Sequence, residues 1–112
     1  MNQNKTSEIK FTVQLDGEKL PVSIEWNATD AGLADKKSCK SVMISIFDTS
    51  EKSTLRIDLW TKDMLVDEMK RFFYETMVGM ADTFERATGD KEAAGEMKKF
   101  SGEFAKKTGV IK

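Results

Sequence analysis

The sequence predicts an α+β fold, in which a four-stranded antiparallel meander sheet is followed by two antiparallel helices packed on one face. Two observations support this fold class. Apolar and polar residues alternate with period two in four segments of the N-terminal half, whereas the C-terminal half shows the three- and four-residue spacing of amphipathic helices. With 112 residues, the chain has room for one hydrophobic core, so we expect a single domain over residues 1–112.

The first two predicted strands form a hairpin. They cover residues 9–15 and 20–26 and flank the turn dipeptide Asp16-Gly17. Each strand has one consistently apolar side, which indicates half-buried strands. Pro21 places the start of the second strand at an edge or in a bulge, because proline cannot donate a ladder hydrogen bond.

The remaining strands complete the meander. Residues 27–40 are polar and small and are predicted to form a surface loop. Alternation resumes over 42–47 and 55–60, and consecutive antiparallel strands usually pair with their neighbours in the chain. The sheet is therefore expected to have its strands in sequence order.

The first predicted helix begins near Lys62, capped by Thr61 or Asp63, and ends at Gly89. Its apolar arc covers nearly half the circumference, which is wider than one small sheet requires. At about 1.5 Å per residue the helix is also longer than the strands that it would cover. We therefore expect a homo-oligomer.

The second predicted helix begins after the break at Gly89 and Asp90 and ends at Gly109. Its apolar stripe has spacings of four, three and four residues, which is the pattern of a docking face. The stripe consists of Ala93, Met97, Phe100 and Phe104.

Composition excludes several functions. The chain has no histidine, so Ser/His and Cys/His catalysis is impossible. Its 18 basic and 19 acidic side chains give no global attraction to nucleic acid or to an anionic membrane. No run approaches the roughly 18 apolar residues of a membrane span, and the N-terminus lacks a signal-peptide pattern. We expect a cytoplasmic, non-enzymatic protein with no cofactor, no nucleic-acid ligand and no direct membrane insertion.

The single cysteine, Cys39, lies among Lys36, Lys37 and Lys40. Nearby ammonium groups would lower the pKa of the thiol and favour a reactive thiolate. The alternative is a cysteine without a role, which the lack of a general base or a second cysteine favours. From the sequence, Cys39 is either a reactive thiolate or a cysteine without a role.

Carboxylates on the first helix could hold a divalent ion. However, the pairs Asp67–Arg71 and Asp82–Arg86 have the i, i+4 spacing of ion pairs on a solvated helix face. We therefore predict no metal site.

Five apolar residues are candidates for a partner-binding or oligomer surface. Met43, Phe47 and Trp60 are more apolar than the solvent-facing side of a sheet needs. Met64 and Val78 map to the polar side of the first helix, where a role in the core is not expected. Methionine suits such a surface because its flexible, polarizable side chain accepts many apolar ligands.

Several long runs of residues resemble the GldC family of gliding motility-associated proteins of the Bacteroidota. The resemblance covers nearly the whole chain, and the runs contain both tryptophans. They are Ser7–Phe11, Ile24–Asp30, Thr54–Met64, Val66–Phe73 and Met80–Thr88. Leu65 departs from this resemblance, since proline is the residue expected there.

The resemblance implies a cytoplasmic accessory of gliding motility, a process that in this family is coupled to type IX secretion and surface adhesins. It implies no catalytic residues. The order of four strands and two helices is also similar in topology to the export chaperone SecB, whose subunits form tetramers and hold unfolded precursors in apolar grooves.

These observations predict an adaptor or chaperone-like protein that binds a motility or secretion component or an unfolded export client. The alternative is a purely structural subunit with one fixed partner in the gliding or type IX secretion apparatus. The number of subunits and the identity of the partner are not encoded in any motif that we find.

Overall fold

The computed structural model describes residues 4–29 and 33–111, with side chains at all of these positions except 33–35. The described residues form five strands: β1 (Ile9–Leu15), β2 (Pro21–Ala28), β3 (Leu33–Cys39), β4 (Ser41–Phe47) and β5 (Thr54–Trp60). Two helices follow, α1 (Val66–Thr88) and α2 (Lys91–Thr108). The chain divides into a strand unit that ends at Met64 and a helix unit that begins at Leu65. The α+β class is confirmed, whereas a single domain and helices packed on one sheet face stay predictions.

The strands form two antiparallel sheets, so the prediction of one four-stranded meander is wrong. One sheet has the order β1-β2-β3, and the other contains β4 and β5. The missing strand, β3, lies in the segment predicted to be a surface loop. Its sequence, LADKKSC, has no alternation, and it is extended because β2 offers it an antiparallel partner. The part of that predicted loop around Gly32 lies outside the described residues.

The β1–β2 hairpin is confirmed. In its turn, the carboxylate of Asp16 accepts the backbone N–H groups of Glu18 at 2.8 Å and Leu20 at 3.0 Å. The left-handed residue of this turn is Lys19, with φ 65°. Pro21 opens β2 beside an irregularity in the register, as predicted for a strand start that lacks an N–H donor.

A single residue, Lys40, separates β3 from β4, and the pairing partner changes there from β2 to β5. At this point the N–H of Thr61 donates to the carbonyl of Lys40 at 2.8 Å and continues the β4–β5 pairing by one residue. The N–H of Lys62 donates to the carbonyl of Pro21 at 3.1 Å and joins the end of β5 to the start of β2. The Nζ of Lys62 also lies 2.8 Å from the Oδ2 of Asp16. We call this region the sheet junction.

The strand unit has a small core, whose buried side chains are Ile24, Ala28, Val42 and Thr61. Ala28 lies at the far end of β2, and the other three lie near the sheet junction. Ile24 lies opposite Cys39 in the three-stranded sheet, and Val42 lies opposite Leu59 in the two-stranded sheet. Both sheets therefore contribute to this core.

Helix α1 begins at Val66, later than predicted, and neither predicted residue caps it. The hydroxyl of Thr61 instead donates to the carboxylate of Asp63 at 2.6 Å. The extended residue before the helix is Leu65, whose backbone N–H donates to the Glu68 side chain at 2.8 Å. This bond is half of a capping box and satisfies one N–H at the start of the helix.

The predicted break between the helices is confirmed. Gly89 closes α1 with φ 76°, a left-handed conformation that glycine adopts without steric cost. The carboxylate of Asp90 then accepts the N–H of Ala93 at 2.9 Å and caps α2. Such a short connection places the helices side by side and antiparallel.

Small residues make the contact between α1 and α2. The fully buried side chains of the helix unit are Ala81, Ala94, Ser101 and Ala105. Small residues allow helix axes to approach closely, and these lie at the centre of the contact. The predicted stripe lies beside them: Ala93, Met97 and Phe104 are half-buried, whereas Phe100 is 58% exposed.

Candidate functional site

The two faces of the β4–β5 hairpin differ in chemistry. Directly opposed residues of antiparallel strands point to the same side of a sheet, so the register assigns each residue to a face. The first, which we call the aromatic face, carries Met43, Ser45, Phe47, Arg56, Asp58 and Trp60. The second, which we call the aliphatic face, carries Val42, Ile44, Ile46, Leu55, Ile57 and Leu59.

Three of the five predicted surface residues share the aromatic face. Met43 lies opposite Asp58, which makes it a diagonal neighbour of Trp60. Phe47 lies at the other end of the hairpin, roughly 20 Å from Trp60 at 3.4 Å per residue. Phe47 is 69% exposed and Trp60 is 55% exposed, so both rings are available to a partner.

A polar cluster separates these two ends of the aromatic face. The guanidinium of Arg56 donates from Nε to Asp58 Oδ2 at 3.2 Å and from Nη2 to Asp58 Oδ1 at 2.7 Å. Its Nη1 donates to the hydroxyl of Ser45. The hydrogen bonds to Asp58 raise the pKa of Arg56, so the guanidinium keeps its charge in this cluster. The aromatic face therefore has two apolar ends with a fixed ion pair between them.

Trp60 also lines a surface groove at the sheet junction. The groove has a volume of about 480 Å³. Its apolar wall is formed by Leu20, Pro21, Leu59 and Trp60, and its polar residues are Asp58 and Lys62. Sequence reasoning missed this groove because it depends on the meeting of β2 and β5 at the junction.

The aliphatic face is the larger apolar surface of the hairpin. Val42 is buried near the junction, whereas Ile46 is 49%, Leu55 is 50% and Ile57 is 49% exposed. The alternation in both strands predicted one apolar side for each, and the register confirms that these side chains share a face. The helix layer expected over this face stays a prediction.

The other two predicted surface residues lie outside the strands. Met64 precedes α1, in a turn where its N–H donates to the carbonyl of Thr61 at 3.1 Å. Val78 lies within α1 and is half-buried. Met64 belongs to the strand unit and Val78 belongs to the helix unit.

The environment of Cys39 does not make it a reactive thiolate. Its side chain is half-buried beside the junction, and burial raises the pKa of the thiol, against a smaller opposite effect of a hydrogen bond with the Ser41 backbone. The hypothesis of a thiol pKa lowered by neighbouring lysines is wrong, because this pKa is raised and burial is the main cause. Within the described ranges, no three carboxylate or cysteine side chains cluster as metal ligands would.

Comparison with known protein families identifies the family of this chain. The family described as gliding motility-associated protein GldC-like matches residues 21–110, a range that includes the β4–β5 hairpin, every groove residue except Leu20, and both helices. The chain belongs to the GldC-like family. The resemblance found in the sequence runs is therefore confirmed, and this GldC-like chain is a gliding motility-associated protein.

Two further findings accompany this assignment. No curated protein and no solved structure matches the chain significantly, so the likeness to SecB in topology stays a prediction. Neither helix of this GldC-like chain combines the length and the apolar character that crossing a membrane requires.

Proposed function

We propose that this GldC-like chain is a non-enzymatic accessory protein of gliding motility that binds a protein partner through the β4–β5 hairpin. One observation carries the proposal. A hairpin of only two strands presents large apolar side chains on both faces, and each is about half exposed or more. They are Ile46, Phe47, Leu55, Ile57 and Trp60. Large exposed apolar patches of this kind typically mark interaction surfaces.

The chemistry of the aromatic face favours a protein over a small molecule as the partner. Phe47 and Trp60 are too far apart for one small ligand, but an extended peptide segment can reach both. The Arg56–Asp58 pair between them would orient such a segment, because charged groups contribute more to specificity than to affinity. The partner would therefore carry apolar anchors on either side of a polar centre.

The proposal covers two kinds of partner, a motility or secretion component and an unfolded export client, and it places the protein in the cytoplasm. A purely structural subunit with one fixed partner is the alternative. No step in the proposal requires catalysis, a cofactor or nucleic acid. Membership of the GldC-like family supports the process, and the exposed side chains support the mode of action.

The test is cross-linking capture of the tagged protein from its native cells, with quantification of the co-purified proteins. The double variant Phe47→Glu/Trp60→Glu should reduce capture at least about tenfold, because hot-spot aromatic side chains carry much of an interface's binding energy. The matched control is Thr49→Glu/Ser50→Glu, which adds the same two charges at exposed positions of the turn between β4 and β5, outside both strands, without removing a ring. Thermal unfolding of each variant checks its folding.

Equal capture by the wild type and a folded double variant would contradict the proposed surface. A broad set of unrelated precursors lost with the double variant would identify a chaperone-like holdase. One or two motility components at a fixed ratio would identify an adaptor. Such a fixed ratio without any affinity for unfolded chains would instead support the structural subunit.

A further inference from the structure

The outer edge of β4 has backbone groups that point away from its only paired strand in the described part of the chain, β5. The N–H of Thr61 donates to the carbonyl of Lys40 just before β4, and the N–H of Asp48 donates to the carbonyl of Ser53 just after it. In an antiparallel pair, the residues that bond to one neighbour are two apart. The even-numbered residues of β4 therefore bond to β5, and the odd-numbered residues direct their N–H and C=O groups outward.

Most of these outward groups lack a backbone partner. The N–H of Ser41 donates to the Cys39 thiol. Within residues 4–29 and 33–111, no backbone hydrogen bond satisfies the outward groups of Met43, Ser45 or Phe47. The backbone groups of α1 and α2 bond within their own helices, so the helix unit has no strand with which to extend this sheet. Such a row of groups is a template for another extended chain.

β4 also lacks the charges that keep sheet edges apart. Charged side chains on an edge strand oppose its pairing with another chain. The other described edge strands all carry such charges, at Lys10 in β1, Lys36 and Lys37 in β3, and Arg56 and Asp58 in β5. β4 has the sequence SVMISIF and carries none. Among these edges, β4 is the one that its own side chains leave open to pairing.

The sequence of β4 is complementary to itself in an antiparallel register. When two copies overlap along the whole strand, Ile44 lies on the two-fold axis. On the aromatic face, Phe47 then lies opposite Ser41 of the other copy, and Met43 lies opposite Ser45. Each large side chain therefore meets a small one. A shift by two residues would shorten the overlap and place Met43 opposite Phe47 or opposite itself.

The aliphatic face fits the same register. Val42 lies opposite Ile46 of the other copy, and Ile44 lies opposite Ile44. Directly opposed apolar β-branched side chains pack well across antiparallel strands. A strand of another protein would have to match this order of large and small side chains, whereas a second copy already carries it. The register therefore favours a second copy as the occupant of the edge.

We propose that β4 pairs in antiparallel fashion with β4 of a second copy, so that two hairpins form one sheet of order β5-β4-β4-β5. A two-fold interface uses the same patch on both subunits, and pairing about Ile44 meets that condition. A sheet of two strands is marginal, whereas four strands with an apolar face are more stable. The new bonds join backbone edges, so this dimer does not depend on partner binding by the faces of the hairpin.

Sedimentation equilibrium of the full chain tests the dimer. The wild type should show twice the 12.6 kDa of one chain. Met43→Pro should raise the dissociation constant at least about tenfold, because it removes an outward N–H and places a ring on the edge without breaking a bond to β5. Met43→Ala is the matched control, since it removes the same side chain but keeps the N–H, and it should remain a dimer. Circular dichroism checks the folding of both variants.

Disulfide formation tests the register in a Cys39→Ser background. Ile44→Cys should join to its own copy on mild oxidation, because the opposed residues form a non-hydrogen-bonded pair with Cα atoms about 4.5 Å apart. Ile46→Cys is the control. Ile46 is 49% exposed, whereas Ile44 is half-buried, but its two copies would lie about 14 Å apart along the strands. It should therefore stay unlinked, and this comparison decides the question if Met43→Pro does not fold.

Three results would overturn the proposal. They are a wild-type monomer at micromolar concentration, equal masses for the wild type and folded Met43→Pro, or equal disulfide formation by Ile46→Cys and Ile44→Cys. A monomeric wild type whose partner capture is lost with Met43→Pro but kept with Met43→Ala would assign the edge to an extended segment of another protein. Capture by the Phe47→Glu/Trp60→Glu variant tests the faces of the hairpin and sedimentation tests its edge, so either proposal can fail while the other stands.

Discussion

Asp16 is the side chain with the most structural connections in the first hairpin. It accepts the N–H groups of Glu18 and Leu20 within the turn and pairs with Lys62 from beyond β5. The hydrogen bond from Lys62, followed by those from the two N–H groups, lowers the pKa of Asp16 from 3.8 to about 2. One carboxylate therefore both shapes a turn and links it to the sheet junction.

This shift predicts a pH dependence of stability. A carboxylate whose folded-state pKa is lowered stabilises the fold above its unfolded-state pKa, and the contribution is lost as the pH falls through the folded-state value. Between pH 4 and pH 2, the melting temperature of Asp16→Asn should therefore fall less than that of the wild type. At pH 7 the variant should melt at a lower temperature.

Circular dichroism melts at several pH values between 2 and 7 provide the measurement. Glu51→Gln is a suitable control, because it removes an exposed carboxylate from the other hairpin turn without touching the sheet junction. Parallel curves for Asp16→Asn and the wild type across this range would contradict the assigned role of Asp16.

At the scale of single elements, α2 depends on its N-terminal cap. Its composition includes Gly95 and Gly102, and each costs about 1 kcal/mol relative to alanine in a helix. Asp90→Ala removes the side chain that accepts the N–H of Ala93 and should lower the free energy of unfolding by about 1 kcal/mol.

Urea denaturation checks this value. Glu92→Ala removes a neighbouring acidic residue of the first turn that makes no capping bond to Ala93, so its effect should be smaller. An equal loss in both variants would show that charge near the helix start, and not the hydrogen bond of Asp90, provides the stabilisation.

The elements also show what sequence patterns can and cannot predict here. Alternation identified β1, β2, β4 and β5, and capping residues identified the break between the helices. β3 was missed because its strand character comes from pairing with β2. The centre of the α2 contact was not predicted, because it is made by alanine and serine and not by the larger residues of the stripe.

The candidate surface was predictable only in part, for the same reason. Met43, Phe47 and Trp60 were chosen from their apolar character, and the alternation of side chains along paired strands puts them on one face. The polar cluster around Arg56 and the groove beside Leu20 depend on register and on contact between separate strands. Local composition does not encode these relations.

At the scale of the whole molecule, the two units bury different kinds of side chain. The strand unit buries Ile24 and Val42, whereas the fully buried residues of the helix unit are alanine and serine. Alanine burial contributes little apolar area, and stability scales with the area removed from water.

Because Lys40 alone separates β3 from β4, the hairpin is sensitive to insertions and deletions at this position. Side chains alternate along a strand, so the number of residues between β3 and β4 determines which face of the β4–β5 hairpin points to each side of the sheet junction. Inserting or deleting one residue would exchange the aromatic and aliphatic faces, whereas a change of two would keep them. Only insertions or deletions of an even number of residues at Lys40 would therefore keep the aromatic face, the proposed partner surface, on the same side of the junction.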